Sequence, residues 1–396
     1  MRVRWLFGVV LLVAVTVVCP LWQSARAQDD AAAMIAQIEA PQSPDRELGA
    51  LTLQDVMQRL RVPGLSIAVI RDFKIHWAKA YGVADVETGR PVRDDTLFQA
   101  ASISKPVVAM AALRLVQEGR FSLDADVNTL LKSWHVPESE LTRGHPVTPR
   151  SLFSHTSGAD DGFGFPGYDP SAPRPTVVQI LNGEPPSNVG RVLFTRPPFR
   201  AHKYSGGGLT IMQLALTDMV GKPFAEIMRT LILAPLGMTS SSYEQPLPDA
   251  LGTRAARAHN MQGTRMGPPW HVYPEQAAAG LWTTPGDLAR FVIELQHALG
   301  GPAGRVLKQA TAREMVTPTG VGPFAVGLRV DKRGEGWYVS HGGSNWGFKC
   351  ALLAHVRNGY GVVVMANGDN GDVRPEIEAR VTLAYKWDTL DKPLPR

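Results

Sequence analysis

A short polar stretch, Ala101-Ser102-Ile103-Ser104-Lys105-Pro106, precedes an apolar, strongly helix-forming run from Val107 to Val116. Proline is tolerated only near a helix start, so we expect the helix to begin close to Ser102. Residues three apart share a helix face, so Ser102 and Lys105 are expected to touch. A hydroxyl at the positive end of a buried helix, beside an amine, suits a nucleophile. The same pattern also fits an N-cap serine with a surface lysine.

The N-terminal residues are typical of a secretory signal. Arg2 and Arg4 precede a nearly continuous apolar run, and Ala25-Arg26-Ala27 has the form of a cleavage site. We expect residues 1–27 to be cleaved as a signal peptide, leaving no stable membrane span. Residues 28–48 are expected to form a flexible segment. The protein is therefore predicted to cross the inner membrane into the periplasm, or beyond it to the exterior.

Composition and residue spacing argue against a nucleic-acid-binding, disulfide-bonded or metal-dependent protein. The 396 residues are 44% hydrophobic and 19% charged, which allows one large domain or two intimate ones. Three of the 41 basic residues lie in the predicted signal, leaving 38 against 36 acidic residues, so the charge does not indicate a nucleic-acid partner. After cleavage Cys350 is the only cysteine, so no internal disulfide is expected. The histidines lack metal-ligand spacing and no phosphate-binding glycine loop is found, so neither metal nor cofactor is predicted.

Strand patterns occur near both ends of the chain and helical patterns between them. Residues 65–70 and 74–81 predict a hairpin, and further strands are predicted at 324–330, 337–340, 350–355 and 361–366. The simplest architecture is α+β, an antiparallel sheet from both termini flanked by helices, with an inserted mainly helical domain. The α/β part covers about 49–100 and 275–396, and the helical part about 101–274. Residues 160–200 are rich in Gly and Pro and predict a long irregular segment, on which substrate choice is expected to depend.

Three separated patterns occur in one order: Ser102-Ile103-Ser104-Lys105, Tyr204-Ser205-Gly206 and His341-Gly342-Gly343. They resemble the Ser-x-x-Lys, Tyr-x-Asn and Lys-Thr-Gly motifs of the serine β-lactamase and penicillin-binding protein superfamily. The phrases at 152–158, 235–238 and 278–285 look like its class C β-lactamase-like branch, which includes family VIII-type carboxylesterases and D-aminopeptidases. The likeness covers roughly residues 50–390 and implies a β-lactamase/transpeptidase-like domain over 49–396.

The resemblance implies roles for individual residues. Ser102 would be the nucleophile, Lys105 would take or relay its proton, and Tyr204 would be the second base, with the primary base of the two left open. The oxyanion hole would use the backbone N–H groups of Ser102 and Ser344. His341, Gly342, Gly343 and Gly206 would line the substrate site.

Two departures from the family pattern bear on the substrate. Gly206 replaces the asparagine that recognises a substrate amide, and His341-Gly342-Gly343 replaces the lysine and threonine that hold a carboxylate. A histidine, with a usual pKa of about 6.5, would be only partly charged at neutral pH. Both changes weaken the case for β-lactam hydrolysis, and a His-x-Gly form occurs in the esterase and D-aminopeptidase members.

We therefore predict a hydrolase of esters or small amides that forms an acyl-enzyme on Ser102. A class C-like β-lactamase or D-Ala-D-Ala carboxypeptidase is the alternative within enzymes. A penicillin-binding sensor or a pseudoenzyme is the alternative of another class. The sequence carries no signal for an oligomeric state.

The remaining candidate residues are given structural roles. His155, in a Thr-Ser-Gly turn, is expected to make structural hydrogen bonds, and Cys350 is expected to be buried filler. Trp270, Trp282 and Trp346 either line an apolar acyl pocket or belong to the core.

Overall fold

A computed structural model describes residues 20–160, 164–300, 304–334 and 336–387. Its helices are Pro20–Glu39 (α1), Leu53–Arg59 (α2), Ser104–Gln117 (α3), Pro149–Phe153 (α4), Val177–Asn182 (α5), Gly206–Val220 (α6), Phe224–Met228 (α7), Ala234–Leu236 (α8), Asp249–Gly252 (α9), Gln276–Ala279 (α10), Pro285–Gly300 (α11), Gln309–Ala312 (α12) and Val373–Ala384 (α13). Its strands are Gly64–Arg71 (β1), Lys74–Asp85 (β2), Arg90–Pro91 (β3), Phe98–Gln99 (β4), Trp282–Thr283 (β5), Arg329–Arg333 (β6), Gly336–Asn345 (β7), Phe348–His355 (β8) and Gly361–Ala366 (β9). Of the predicted signal peptide, residues 1–19 lie outside the described residues. No described helix combines the length and apolar character needed to cross a membrane.

The main sheet joins the two ends of the domain. Its order is β3-β2-β1-β9-β8-β7-β6, and every neighbouring pair is antiparallel. The N-terminal hairpin meets the C-terminal strands where β1 pairs with β9, from Leu65 opposite Ala366 to Ile70 opposite Gly361. The predicted α+β fold, with an antiparallel sheet built from both ends, is confirmed.

Helices cover both faces of this sheet, which explains why β1 and β9 are almost continuously apolar. On β1, Ala68 and Ile70 face a core that includes α3, α6 and α11. Ile67 and Val69 face a second core, formed with α2 and α13. Residues of a strand alternate between the two faces, so one strand serves both cores.

Some predicted elements differ in extent. The strand predicted at 324–330 begins only at Arg329, because Gly327 has a φ of +87° and turns the chain towards α3. A Cβ at Gly327 would lie 2.5 Å from the Cβ of Ala109, so glycine permits this close approach. Strand β2 continues to Asp85, beyond the predicted end at Tyr81. The irregular segment 160–200 contains the helix α5.

The segment 28–48, expected to be flexible, is held against α13. Helix α1 continues to Glu39, and Ile38 is fully buried. Arg380 of α13 is also fully buried, and its guanidinium donates four hydrogen bonds of 2.7–3.1 Å to carbonyl oxygens of Ile38, Ala40, Leu48 and Leu51. Its Nε donates to the buried carboxylate of Glu376 at 2.7 Å. Composition alone does not reveal this partner, which lies more than three hundred residues along the chain.

We expect Arg380→Met to lower the free energy of unfolding by about 3–5 kcal/mol, because it leaves the buried Glu376 carboxylate without this partner and four carbonyls without donors. Urea unfolding followed by circular dichroism measures the change. Arg290→Met is the control. The Arg290 side chain is half exposed and its contact with Asp287 is long, at 3.7 Å, so this substitution should lower the free energy of unfolding by less than about 0.5 kcal/mol. Equal losses in the two variants would contradict the anchoring role of Arg380.

Candidate active site

Ser102 lies in a turn of 3₁₀ helix, Ala101–Ile103, that leads directly into α3. The residue before it, Ala101, has a φ of +49°, a conformation that a non-glycine residue rarely adopts. Hydrogen bonds on either side hold this turn: Cys350 Sγ donates to the carbonyl of Ala100 at 2.8 Å, and Ser104 Oγ donates to that of Ala101 at 2.6 Å. Such strained positions cluster at functional sites. Cys350 is buried as expected, and it also supports the serine turn.

Lys105 joins Ser102 as the spacing predicts. Its side chain is buried, and its Nζ lies 2.9 Å from Ser102 Oγ. The same nitrogen donates to the carbonyl of Ala278, in α10, at 2.7 Å. It also lies 5.0 Å from the centre of the Tyr204 ring. The three predicted catalytic side chains, of Ser102, Lys105 and Tyr204, are therefore brought together.

Tyr204 is positioned from both sides of its peptide. Ser205 caps α6, since its Oγ accepts the N–H of Gly208 at 2.8 Å. The N–H of Ser205 in turn donates to Nδ1 of His155 at 3.2 Å. The ring of His155 packs against that of Tyr204, with 4.2 Å between centres. The expected hydrogen-bonding role of His155 is therefore exerted on the residue next to Tyr204, a contact that no local sequence signal shows.

His341 lines the same cluster but is not the partly charged group that the sequence suggested. It is buried, and burial, reinforced by the charge of Lys105, lowers its pKa to about 3. Its Nδ1 donates to the carbonyl of Gly342 at 2.7 Å, which leaves Nε2 as a neutral acceptor with no hydrogen-bond partner among the described residues. Its ring centre is 6.2 Å from that of Tyr204. His341 therefore presents a hydrogen-bond acceptor, not a cation, to this cluster.

Two further histidines in this cluster also have pKa values below the usual one. Burial first, and then the Lys105 charge, holds the pKa of His155 well below its usual value. Burial and Arg329 lower the pKa of His202, whose ring stacks on Phe324 at 5.4 Å. The described residues contain no group of three His, Cys, Asp or Glu side chains arranged to hold a metal ion.

Strand β7 approaches the serine turn at Gly343. A Cβ at this position would overlap Cys350 Sγ and the carbonyl oxygen of Ala100, and it would lie 3.1 Å from the Cβ of Ala101. Glycine is therefore required here for close approach of two backbones. The contact brings the predicted oxyanion strand beside the N-terminal end of the Ser102 turn.

The register of β7 gives the direction of the Ser344 N–H. Val356 donates its N–H to the carbonyl of Trp337 at 2.8 Å, so these residues form a hydrogen-bonded pair. Hydrogen-bonded pairs alternate along an antiparallel ladder, which makes Gly343 and Cys350 another such pair. The N–H of Ser344 therefore points away from β8. On that other side the ladder with β6 ends at Ser340, so this N–H faces the open edge of β7.

The predicted substrate-binding glycines fall in different places. Gly206 faces the long segment: a Cβ there would lie 2.6 Å from Cε2 of Phe165. The phenyl ring thus fills the space next to the position where the family has asparagine. Gly342 faces the opposite side of the sheet, where its nearest neighbour is Nη1 of Arg374. The sequence did not reveal Phe165 or Arg374.

The three tryptophans differ in their surroundings. Trp282 is fully buried in the core, and Trp270 packs edge-on against it at 5.3 Å. Trp346 is half-buried and stacks on His271, with ring centres 4.0 Å apart. Nδ1 of His271 donates to the carbonyl of Pro166, the residue after Phe165, at 2.8 Å. Of the three, only Trp346 adjoins both the end of β7 and the Phe165 segment.

Comparison with known proteins places this arrangement in a family. The family model described as Beta-lactamase matches residues 50–386, and the chain belongs to that family. One similar protein is named an esterase, and one solved structure of the same fold is named an amidase.

Two relatives and one solved structure illustrate the similarity. Esterase EstB of Burkholderia gladioli is 27% identical over 78% of this chain and 79% of its own length. Penicillin-binding protein 4 of Amycolatopsis lactamdurans is 29% identical over 64% of this chain, which spans only 65% of that protein. The D-amino acid amidase of Ochrobactrum anthropi SV3, solved with L-phenylalanine, has a TM-score of 0.67 at 23% identity, over 90% of this chain and 98% of its own; it shares the fold.

The buried, neutral state of His341 predicts an acid-dependent loss of stability. Its pKa is about 3 in the folded protein and about 6.5 when unfolded, so between these values the unfolded state binds more protons and stability falls as the pH falls. From pH 6.5 to 4.5 the contribution of one such group is about 2 kcal/mol.

Urea unfolding at these two pH values measures the effect. In His341→Gln the loss on acidification should be smaller than in the wild type by about 2 kcal/mol. His135→Gln, which alters an exposed histidine, should retain the wild-type loss. Equal losses in His341→Gln and the wild type would show that His341 is not held neutral.

Proposed function

We propose that the protein is a serine hydrolase that cleaves esters or small amides through an acyl-enzyme on Ser102, and that it acts after export to the periplasm. The single observation that carries this proposal is the 2.9 Å separation of Lys105 Nζ and Ser102 Oγ, with Lys105 beside the Tyr204 ring. The relationship to an esterase and the fold shared with an amidase support the reaction class. Export rests on the N-terminal sequence alone.

The arrangement suits a two-step acyl transfer. Ser102 Oγ attacks the substrate carbonyl carbon while its proton passes to the neutral amine of Lys105 or to the phenolate of Tyr204, and the carbonyl electron pair moves onto oxygen. The N–H groups of Ser102 and Ser344 stabilise this oxyanion. When the tetrahedral intermediate collapses, the bond to the alcohol or amine breaks and the leaving group takes the proton back. Water then repeats the sequence on the acyl-serine and releases the acid.

The surroundings of Gly206 favour an apolar acyl group. An asparagine side chain at this position could pair with a substrate amide, whereas Gly206 has no side chain and faces the ring of Phe165. An amide buried against this ring would lack a hydrogen-bond partner, at a cost of about 1–3 kcal/mol. A class C-like β-lactamase or a D-Ala-D-Ala carboxypeptidase acts on substrates that carry such amides, so we favour the esterase over these alternatives.

Ser102→Ala should lower kcat/KM for p-nitrophenyl butyrate by at least about a thousandfold, because the nucleophile is lost. Release of nitrophenol measures turnover. Intact mass after exposure to a fluorophosphonate should show one adduct on the wild type and none on the variant. Ser122→Ala, at an exposed serine, should behave as the wild type.

Three other results would reject this proposal. Undiminished turnover by Ser102→Ala would refute the mechanism. A persistent acyl adduct on Ser102 without turnover would instead identify a sensor. Absence of both adduct and turnover in the wild type would identify a pseudoenzyme.

The ring of Phe165 beside Gly206 predicts that the enzyme discriminates against acyl groups that carry an amide. The wild type should prefer p-nitrophenyl butyrate to the p-nitrophenyl ester of N-acetylglycine by about 5- to 150-fold in kcat/KM. The double variant Phe165→Ala/Gly206→Asn should lose most of this preference, since it removes the ring and supplies an amide partner. Phe199→Ala, an exposed phenylalanine of the same segment, should keep it. A preference unaltered in the double variant would rule out Phe165 as its cause.

A further inference from the structure

We propose that Arg374 is a positioning residue that strengthens the Ser344 oxyanion donor from the opposite face of the sheet. The proposal rests on the proposed function and adds a residue outside the three sequence motifs. Arg374 is the second residue of α13, which packs on the face of the sheet away from α3. Its guanidinium reaches the backbone of β7 behind the predicted oxyanion hole.

The contacts of Arg374 are with backbone carbonyls. Its Nη1 donates to the carbonyl of Gly343 at 3.2 Å and to that of Cys350 at 3.4 Å. Its Nε donates to the carbonyl of Gly371, in the loop before α13, at 3.2 Å. The guanidinium is thereby fixed between its own loop and the hydrogen-bonded pair that joins β7 to β8.

The carbonyl of Gly343 and the N–H of Ser344 belong to one peptide group. In a trans peptide these two bonds point in opposite directions, so the carbonyl turns towards β8 while the N–H turns towards the open edge. The ladder supplies this carbonyl with the N–H of Cys350, and Arg374 adds a second, cationic donor. Hydrogen bonds to a carbonyl polarise the peptide, and charged donors form the stronger bonds. The Ser344 N–H therefore becomes a better donor to a developing oxyanion.

Gly342 makes this contact possible. A Cβ at 342 would lie 3.3 Å from Nη1 of Arg374, closer than most side chains approach. Gly342 was expected to line the substrate site, but its open face instead admits the guanidinium. The two glycines of His341-Gly342-Gly343 thus serve opposite faces of β7, Gly343 for the serine turn and Gly342 for Arg374.

The cleft around Arg374 offers a matched control. It has a volume of about 300 Å³ and is also lined by Arg329, Arg333, Asp331 and Glu378. Nε of Arg329 donates to Asp331 at 2.6 Å, so that cation is already paired. Arg333, on β6, lines the same cleft and carries the same charge. It lies opposite Gly336 of β7, and the pairing of β6 with β7 stops at Ser340, so Arg333 does not face the Gly343–Ser344 peptide.

The test compares Arg374→Met, Arg374→Lys and Arg333→Met with the wild type on p-nitrophenyl butyrate. Arg374→Met should lower kcat and kcat/KM equally, by about tenfold, with KM unchanged, because the interaction grows only in the transition state. Arg374→Lys should recover part of the loss, and Arg333→Met should equal the wild type. In Arg374→Ala, added methylguanidinium should enter the vacated cleft and raise kcat, whereas sodium chloride at equal concentration should not.

A spectroscopic measurement tests the same peptide without any substrate. In ¹⁵N-labelled protein the Ser344 amide resonance should move upfield in Arg374→Met and stay in place in Arg333→Met. An unmoved resonance overturns the proposal whether or not the protein hydrolyses the ester. In an active wild type, an unchanged kcat in Arg374→Met, or a loss that appears only in KM, also overturns it. Failure of the proposed function is a separate result, namely no turnover and no adduct on Ser102 in the wild type.

Discussion

The site depends on the close approach of two backbones, β7 at Gly343 and the turn at Ala100–Ala101. No side chain fits between them, and the thiol of Cys350 bridges the gap to the carbonyl of Ala100. This packing fixes the edge of the sheet against the start of a buried helix. Under the proposed mechanism the two oxyanion donors come from these two elements, so their separation is set by core packing. The unfavourable φ of Ala101 is tolerated because its neighbours hold it on both sides.

Electrostatics in the cluster follow from one buried cation. Lys105 is buried together with His155 and His341, and a second positive charge nearby would be costly in a poorly hydrated site. Burial and the lysine charge therefore act in the same direction and keep both histidines neutral. The histidines contribute ring packing and hydrogen-bond acceptors. In the proposed mechanism, Lys105 can accept the Ser102 proton only as the neutral amine, because an ammonium has no lone pair. While Lys105 carries its charge, Tyr204 as the phenolate is the acceptor in this cluster.

Local sequence patterns predict most of the fold and the contact between Ser102 and Lys105. The hairpin, the C-terminal strands and the Ser102–Lys105 contact depend on periodicity and on helix spacing, which act over a few residues. The contacts that local patterns do not predict join distant parts of the chain: Arg380 with Leu48, Phe165 with Gly206, and Arg374 with Gly343. The charge of His341 was misjudged for a related reason, since its environment depends on tertiary packing. The left-handed backbone conformation of Ala101 is likewise determined by the residues packed around it.

Strand β7, which forms an edge of the sheet only beyond Ser340, links the two cores of the domain through a single peptide group. Its successive residues face opposite sides, so His341 and Gly343 belong to the serine side while Gly342 belongs to the α13 side. The peptide group between Gly343 and Ser344 lies between these two faces. Its carbonyl points to β8 and its N–H points to the open edge of β7. A change in how α13 packs would therefore alter the hydrogen bonds of this carbonyl, and with them the strength of the N–H at the open edge. This coupling requires no movement of the serine turn, because polarisation acts within one rigid amide plane.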